Sequence, residues 1–186
     1  MTESIELADS GMIALTRDAL CALRAALFRD LGENAAGYLQ EAGYAGGGAL
    51  FTAFGAWAER RGYGAPEDIA ADDFQRYATE FFGDLGWGSI GLSTLHGAVA
   101  TLDSRDWGEA DPNSAMEFPG CHLTTGMFAD FFGRLAGTPM AVMEVECRSM
   151  GAPRCRFLLG NAEALHQVYE EMNRGVAYDD AVAAVA

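Results

Sequence analysis

Apolar positions recur three or four residues apart through the N-terminal half of the chain, which is the spacing of one helical face. Gly32 suits the end of a first helix, and Asn34 suits the N-terminal cap of a second. A glycine-rich run at 43–48 interrupts the pattern, and we interpret it as a turn between helices. The pattern therefore predicts four helices, at 12–31, 35–42, 49–61 and 65–82.

The apolar pattern changes in the second half, where short apolar runs alternate with turn residues. We predict two β-hairpins, one turning at His96-Gly97 and the other at Gly151. Their four strands are expected at 87–95, 98–102, 140–149 and 153–159. Helices are expected at 121–135, ended by Gly137, at 161–174 after an Asn161 cap, and at 177–185. These elements predict an α+β fold, in which a small antiparallel sheet of two hairpins packs with N-terminal and C-terminal helices.

The composition excludes some partners. The chain has 186 residues, half of them apolar, which suits a folded domain with a core of its own. Twelve basic residues against 27 acidic ones give a net charge of −15, which opposes binding to nucleic acid. The sequence shows neither a basic leader nor an uncharged apolar run long enough to span a bilayer. We therefore expect a cytoplasmic protein without a nucleic-acid or membrane partner.

Three of the four cysteines fall in the C-terminal half, as expected for a metal site rather than a disulfide framework in a reducing compartment. Cys147 and Cys155 each lie four residues from the hairpin turn, so a simple ladder pairs them, with Val145 facing Phe157 and Met143 facing Leu159. Cys121 begins a helix, where free N–H groups stabilise a thiolate. The three thiolates predict a zinc site. A Cys147–Cys155 disulfide, or reduced core cysteines, is the alternative.

The spacing leaves the fourth ligand open among Glu144, Glu146 and His122. An ideal strand places Glu144 and Cys147 on opposite faces, and a bulge near Val145-Glu146 would bring them together. His122 follows Cys121 on a helix and points about 100° away from it.

The stretch from Glu144 to Phe157, with Pro119-Gly120-Cys121 upstream, resembles the vinyl-4-reductase domain. That domain also forms the aromatic-sensing part of some phenol-responsive transcription activators, and its fold is similar to the ligand-binding fold of the TRAPP Golgi-transport subunits. The zinc motif of the family has separations of 23, 3 and 8 residues, which Cys121, Glu144, Cys147 and Cys155 fit. The resemblance implies Glu144 as the fourth ligand. A closed site with four protein ligands is structural.

The resemblance also implies a pocket between the sheet and the helices for a small hydrophobic or aromatic ligand. It implies a ligand-binding domain at 15–174, between an N-terminal segment at 1–14 and a tail helix at 175–186. Helical spacing places Thr125, Phe128 and Phe132 on the Cys121 side of their helix, and Trp107 lies near the end of the first hairpin. These four residues are our candidate ligand contacts. A filled core without a cavity is the alternative.

The sequence carries no Ser-His-Asp pattern, nucleotide loop or flavin motif, and zinc is redox-inert. We therefore expect no enzymatic activity, despite the family name, and predict a sensor or carrier of the ligand. The alternative is an accessory protein or chaperone for a tetrapyrrole reductase of the bacteriochlorophyll type. Apolar residues cover more of the first helix than a narrow stripe, which predicts a homodimer through residues 12–60.

Overall fold

A computed structural model describes residues 11–97 and 99–185, so most of the predicted N-terminal segment, and Ala98 of the first hairpin, lie outside the described residues. The elements are α1 (Arg17–Leu31), α2 (Asn34–Arg60), α3 (Ala71–Asp84), β1 (Gly91–His96), β2 (Val99–Ser104), α4 (His122–Ala136), β3 (Ala141–Glu146), β4 (Cys155–Gly160), α5 (Ala162–Asn173) and α6 (Tyr178–Val185). The predicted α+β fold is confirmed. Within the described ranges, no helix combines the length and apolar character that crossing a membrane requires.

The two hairpins join into one antiparallel sheet in the order β1-β2-β4-β3. Side chains alternate between its faces along β4, so Phe157 and Leu159 enter one core while Leu158 enters another. The larger core lies between the sheet and helices α2, α3 and α4, and is built mainly from aromatic rings. The smaller core lies under α5 and α6. The sheet is therefore the middle of three layers.

The glycine-rich run at 43–48 is not the turn that we predicted, because α2 continues through it for 27 residues. The glycines allow α2 and α4 to approach closely. A Cβ atom on Gly43 would lie 1.9 Å from the carbonyl oxygen of Leu123, and one on Gly126 would lie 1.9 Å from that of Gln40. Glycine in a helix costs about 1 kcal/mol relative to alanine. The close backbone packing that only glycine permits explains why the helix keeps it here.

Helix ends follow local chemistry where the sequence predicted them. Gly32 ends α1 with a positive φ of 58°, and Gly137 ends α4 in the left-handed conformation. The side chain of Asn161 caps α5 by accepting a 2.7 Å hydrogen bond from the N–H of Ala164. The predicted fourth helix is wrong in one respect. It is divided into a 3-10 turn at Pro66–Asp68 and α3, because Ile69 and the residue after it are extended.

The predicted ladder of the second hairpin is also wrong. Glu144 pairs with Phe157 and Glu146 with Arg156, so the register shifts at Val145, which forms a bulge. Pairing ends at Glu146, because a 3-10 turn at Arg148–Met150 follows β3. Cys147 therefore lies beyond the end of the ladder instead of opposite Cys155. The bulge that we considered as an alternative is present, and it changes which side chains face the core.

Candidate metal centre

Four side chains from separate parts of the second half converge at one end of the sheet. Cys121 is the N-cap residue of α4, Glu144 lies on β3, Cys147 follows β3, and Cys155 begins β4. All four are buried, and their potential ligand atoms lie within 4.8 Å of one another. We call this group the Cys3Glu cluster. It is a buried site that can bind a metal ion.

The sulfur atoms have the separation of ligands that share one ion. The Cys121 sulfur lies 3.8 Å from that of Cys147 and 3.9 Å from that of Cys155. Two thiolates bound at roughly 2.3 Å with a tetrahedral angle are separated by roughly 3.8 Å, whereas a disulfide requires roughly 2.05 Å. Cys147 and Cys155 are free thiols, so the structure does not contain the disulfide that we considered as an alternative.

The carboxylate of Glu144 has one satisfied and one unsatisfied oxygen. Oε2 accepts a 2.8 Å hydrogen bond from the backbone N–H of Cys121. Oε1 is buried and has no hydrogen-bond partner among the residues that the structure describes. Buried polar atoms nearly always have a partner, so each exception needs an explanation, and an ion is one of the accepted explanations. The donor set of this cluster therefore fits a cation.

The electrostatics of the cluster also favour a cation. Burial, together with the charge of Cys147, raises the pKa of Glu144 to about 9, and burial raises the pKa of Cys121. Hydrogen bonds with the other two thiols lower the pKa of Cys147. Four acidic groups in one dry space cannot all ionise alone, because each anion opposes the next. A divalent cation would replace their protons.

The other two candidates for the fourth ligand lie outside the cluster. The ring of His122 packs against Phe28 at 5.7 Å between centroids. The carboxylate of Glu146 accepts two 2.9 Å hydrogen bonds from Arg154. The bulge at Val145 explains the difference, because it places Glu144 with the thiols and leaves Glu146 facing away.

A second buried carboxylate, Glu109, fixes the start of α4 and was not expected from the sequence. It accepts hydrogen bonds from the N–H groups of Leu123 (3.0 Å) and Thr124 (2.8 Å), and from the Thr124 hydroxyl. Burial raises its pKa to about 7. Arg24 of α1 donates to the backbone oxygens of Glu109 and Gly120, at 2.6 and 3.2 Å. A lone arginine in an apolar helix is the only sequence signal for this arrangement.

The structure brings together three of the four predicted ligand contacts. The ring of Phe128 lies 5.1 Å from that of Trp107 and 5.5 Å from that of Phe132, within the larger core. The indole N–H of Trp107 donates a 2.7 Å hydrogen bond to Thr124. Thr125 instead faces α2, where it accepts from Gln40 at 3.3 Å. Thr125 therefore does not share the side of the helix that we predicted.

An open cleft of about 740 Å³ lies beside this aromatic group, between the sheet and the segment at 66–76. Its walls combine apolar and polar side chains, namely Pro66, Glu67, Ile69, Asp72, Phe74, Gln75, Arg76, Leu92, Ser93, Thr94, Ala100 and Leu135. The ring of Phe74, in the wall, lies 6.2 Å from that of Phe132. The cleft thus reaches the edge of the predicted contacts and has the volume of a small-molecule site.

Comparison with known families identifies the class of domain that this site belongs to. Residues 112–161, which contain all four members of the Cys3Glu cluster, match the family model of the vinyl-4-reductase domain. The predicted resemblance to that domain is confirmed for this part of the chain. A comparison with curated proteins finds no match.

Two solved structures are similar to this chain. One is the phenol-responsive sensory domain of the transcription activator PoxR with phenol, at 21% identity, covering 82% of this chain and 77% of that one, with a TM-score of 0.61. The other is a vinyl-4-reductase family protein from Methanocaldococcus jannaschii, at 18% identity, covering 65% and 66%, with a TM-score of 0.48. At such identities, the likeness to the PoxR domain shows a shared fold.

Proposed function

We propose that this protein is a zinc-containing domain that binds a small hydrophobic or aromatic ligand and acts as a sensor or carrier, without enzymatic activity of its own. The Cys3Glu cluster carries the proposal, because its thiols have the spacing of shared ligands and Glu144 has an unpartnered buried oxygen. The free buried thiols suit a reducing cytoplasm. The net charge of −15 argues against a nucleic-acid partner.

Zinc is the metal that the donor set favours. Three thiolates are soft ligands that bind zinc well, whereas magnesium and calcium prefer oxygen donors. Cys121, Glu144, Cys147 and Cys155 would supply all four positions of a tetrahedral ion. Catalytic zinc needs an open position for water or substrate, so a closed site has a structural role. When bound, zinc would crosslink the start of α4 to the β3–β4 hairpin.

The ligand half of the proposal rests on the cleft beside Phe74 and Phe132. The PoxR domain, which has a similar fold, is described with phenol, and this supports an aromatic ligand here. We propose that the ligand enters the cleft and contacts Phe132, with Trp107 and Phe128 behind it. Those two rings pack directly against each other, so a larger ligand would need them to move apart.

Calorimetric titration with phenol and 2-naphthol tests the ligand site, with native mass spectrometry of the purified protein to find a ligand that is already bound. Thr94→Trp would fill the cleft from the exposed strand β1 and should weaken binding at least about tenfold, a loss typical of filled apolar sites. Thr52→Trp places the same side chain at an exposed position on α2 and is the matched control. Equal binding by both variants would contradict this location.

We also propose a homodimer through residues 12–60. Large apolar side chains remain exposed there, including Ile13, Leu15, Leu23, Leu31 and Tyr38. A twofold interface is the commonest way to bury such a surface. Light scattering in ordinary salt should give twice the chain mass of 19.8 kDa, and Leu23→Glu should reduce it. A monomer mass for the wild type would overturn this assignment.

A further inference from the structure

Five polar side chains form a network on the face of the sheet that points away from the Cys3Glu cluster. Three strands and the C-terminal helix contribute to it. We call it the outer polar network, and its members are Asp103, Glu146, Arg154, Arg156 and Tyr178. The four charged side chains are only 14–28% exposed, so solvent screens their interactions incompletely.

Glu146 and Tyr178 are the central pair of the network. Arg154 donates to both carboxylate oxygens of Glu146 at 2.9 Å, and the hydroxyl of Tyr178 donates to the same carboxylate. The oxygen of Tyr178 accepts a 3.1 Å hydrogen bond from Arg156. Arg156 in turn donates to both oxygens of Asp103 at 2.7 Å. A single tyrosine therefore connects α6 to strands β3 and β4.

The network lies directly behind three of the four candidate metal ligands. Glu146 stands between Glu144 and Cys147 in sequence, and the two arginines stand on either side of Cys155. The bulge between Glu144 and Glu146 interrupts the regular ladder, so that backbone depends on other contacts for its shape. Contacts of Glu146 on the outer face are the ones available to hold it.

Helix α6 is a firm support for these contacts. Ala181 and Val182 are fully buried, in the core that α6 shares with Leu158 of β4. We propose that Tyr178 is a positioning residue for the metal centre, acting through Glu146 to hold the bulge that directs Glu144 toward the thiols. This inference rests on the proposed metal-binding function and assigns the C-terminal helix a part in it.

Tyr178→Phe tests the proposal, because it removes one hydroxyl and keeps the ring. Tyr169→Phe is the matched control, since Tyr169 is 52% exposed on α5. Chelator competition should show zinc affinity lowered about tenfold in Tyr178→Phe, the lower end of what outer-shell partners of metal ligands contribute. The visible spectrum of the cobalt-substituted protein should also change. Tyr169→Phe should match the wild type in both measurements. Glu146→Gln should act in the same direction as Tyr178→Phe.

The outcomes separate the inference from the function on which it rests. If the wild type binds zinc but Tyr178→Phe keeps the wild-type affinity and cobalt spectrum, the positioning role is wrong, even where the thermal stability of the metal-free variant falls. If the wild type binds neither zinc nor cobalt, the proposed metal centre fails, and this inference fails with it.

Discussion

Glu109 and Glu144 are both buried carboxylates that accept hydrogen bonds from backbone N–H groups at the start of α4, but their surroundings differ. Glu109 is fully buried, and both of its oxygens have donors, from Leu123 and Thr124. Glu144 is 8% exposed and binds the N–H of Cys121 through one oxygen, while the other has no partner in the described part of the chain. Three thiols surround Glu144.

The difference separates a structural carboxylate from a ligand. Glu109 acts as a cap, because it satisfies N–H groups that a helix start leaves free, and its charge suits the helix dipole. Glu144 satisfies one such group and leaves its second oxygen to the thiols. A buried carboxylate whose partners are complete has no capacity for a cation, whereas one with an open oxygen among soft donors has it. Four predictions test this comparison.

The largest effect is expected from Cys155→Ala, which removes a thiol and leaves the open oxygen of Glu144 without a cation. Metal binding is coupled to folding, so the variant should lose the metal and several kcal/mol of stability, measured by elemental analysis and thermal unfolding. Cys21→Ala is the control, since Cys21 lies on α1 outside the cluster. A Cys155→Ala protein as stable as Cys21→Ala would mean that the site has no structural role.

Glu144→Ala should weaken zinc binding at least about 100-fold, beyond the usual effect of outer-shell partners, because it removes a direct ligand. His122→Ala should leave the affinity nearly unchanged, since that ring packs against Phe28. Chelator competition measures both. The reverse result would mean that Glu144 is not the fourth ligand and that the resemblance fails at this position.

Glu109→Gln should have the opposite profile, losing stability while keeping the metal. An amide cannot accept all three hydrogen bonds that the carboxylate accepts, so one buried donor loses its partner. The expected cost is roughly 1–3 kcal/mol of unfolding free energy, measured by denaturant titration. Zinc loss at unchanged stability would contradict the assignment of Glu109 as a cap.

The smallest effect concerns pH. Burial raises the pKa of Glu109 from 4.5 to about 7, so the folded protein holds a proton that the unfolded chain releases. Stability from this group therefore falls as the pH rises from about 4.5 through 7, with about 1 kcal/mol lost between pH 6 and 7. Glu109→Gln lacks this proton. The stability advantage of the wild type over the variant should shrink with pH, and a constant difference would contradict the assignment.

Features that depend on neighbouring residues could be predicted from the sequence. Gly32, Gly137 and Asn161 end or begin helices through their own backbone or side-chain chemistry, and the structure agrees. The Cys3Glu cluster was also predicted, because its spacing matches a family motif and the structure brings the four residues together. The choice of Glu144 over Glu146 came from that resemblance, since spacing alone did not decide it.

Features that depend on distant parts of the chain could not be predicted in this way. The run at 43–48 reads as a turn because glycine disfavours helices, and only the packing of α4 against α2 explains why it is helical. The register of the second hairpin was wrong because the bulge at Val145 depends on contacts outside the hairpin. Arg24 and Glu109 are 85 residues apart, so no local pattern connects them.

The metal content of the wild-type protein tests the central claim most directly. Protein purified from ordinary medium under reducing conditions, then freed of loosely bound ions, should contain about one zinc per chain by elemental analysis, as a closed four-ligand site requires. Glu144→Ala, prepared in parallel, should contain much less. A folded wild-type protein without metal, whose cysteines Cys147 and Cys155 form a disulfide, would contradict the account.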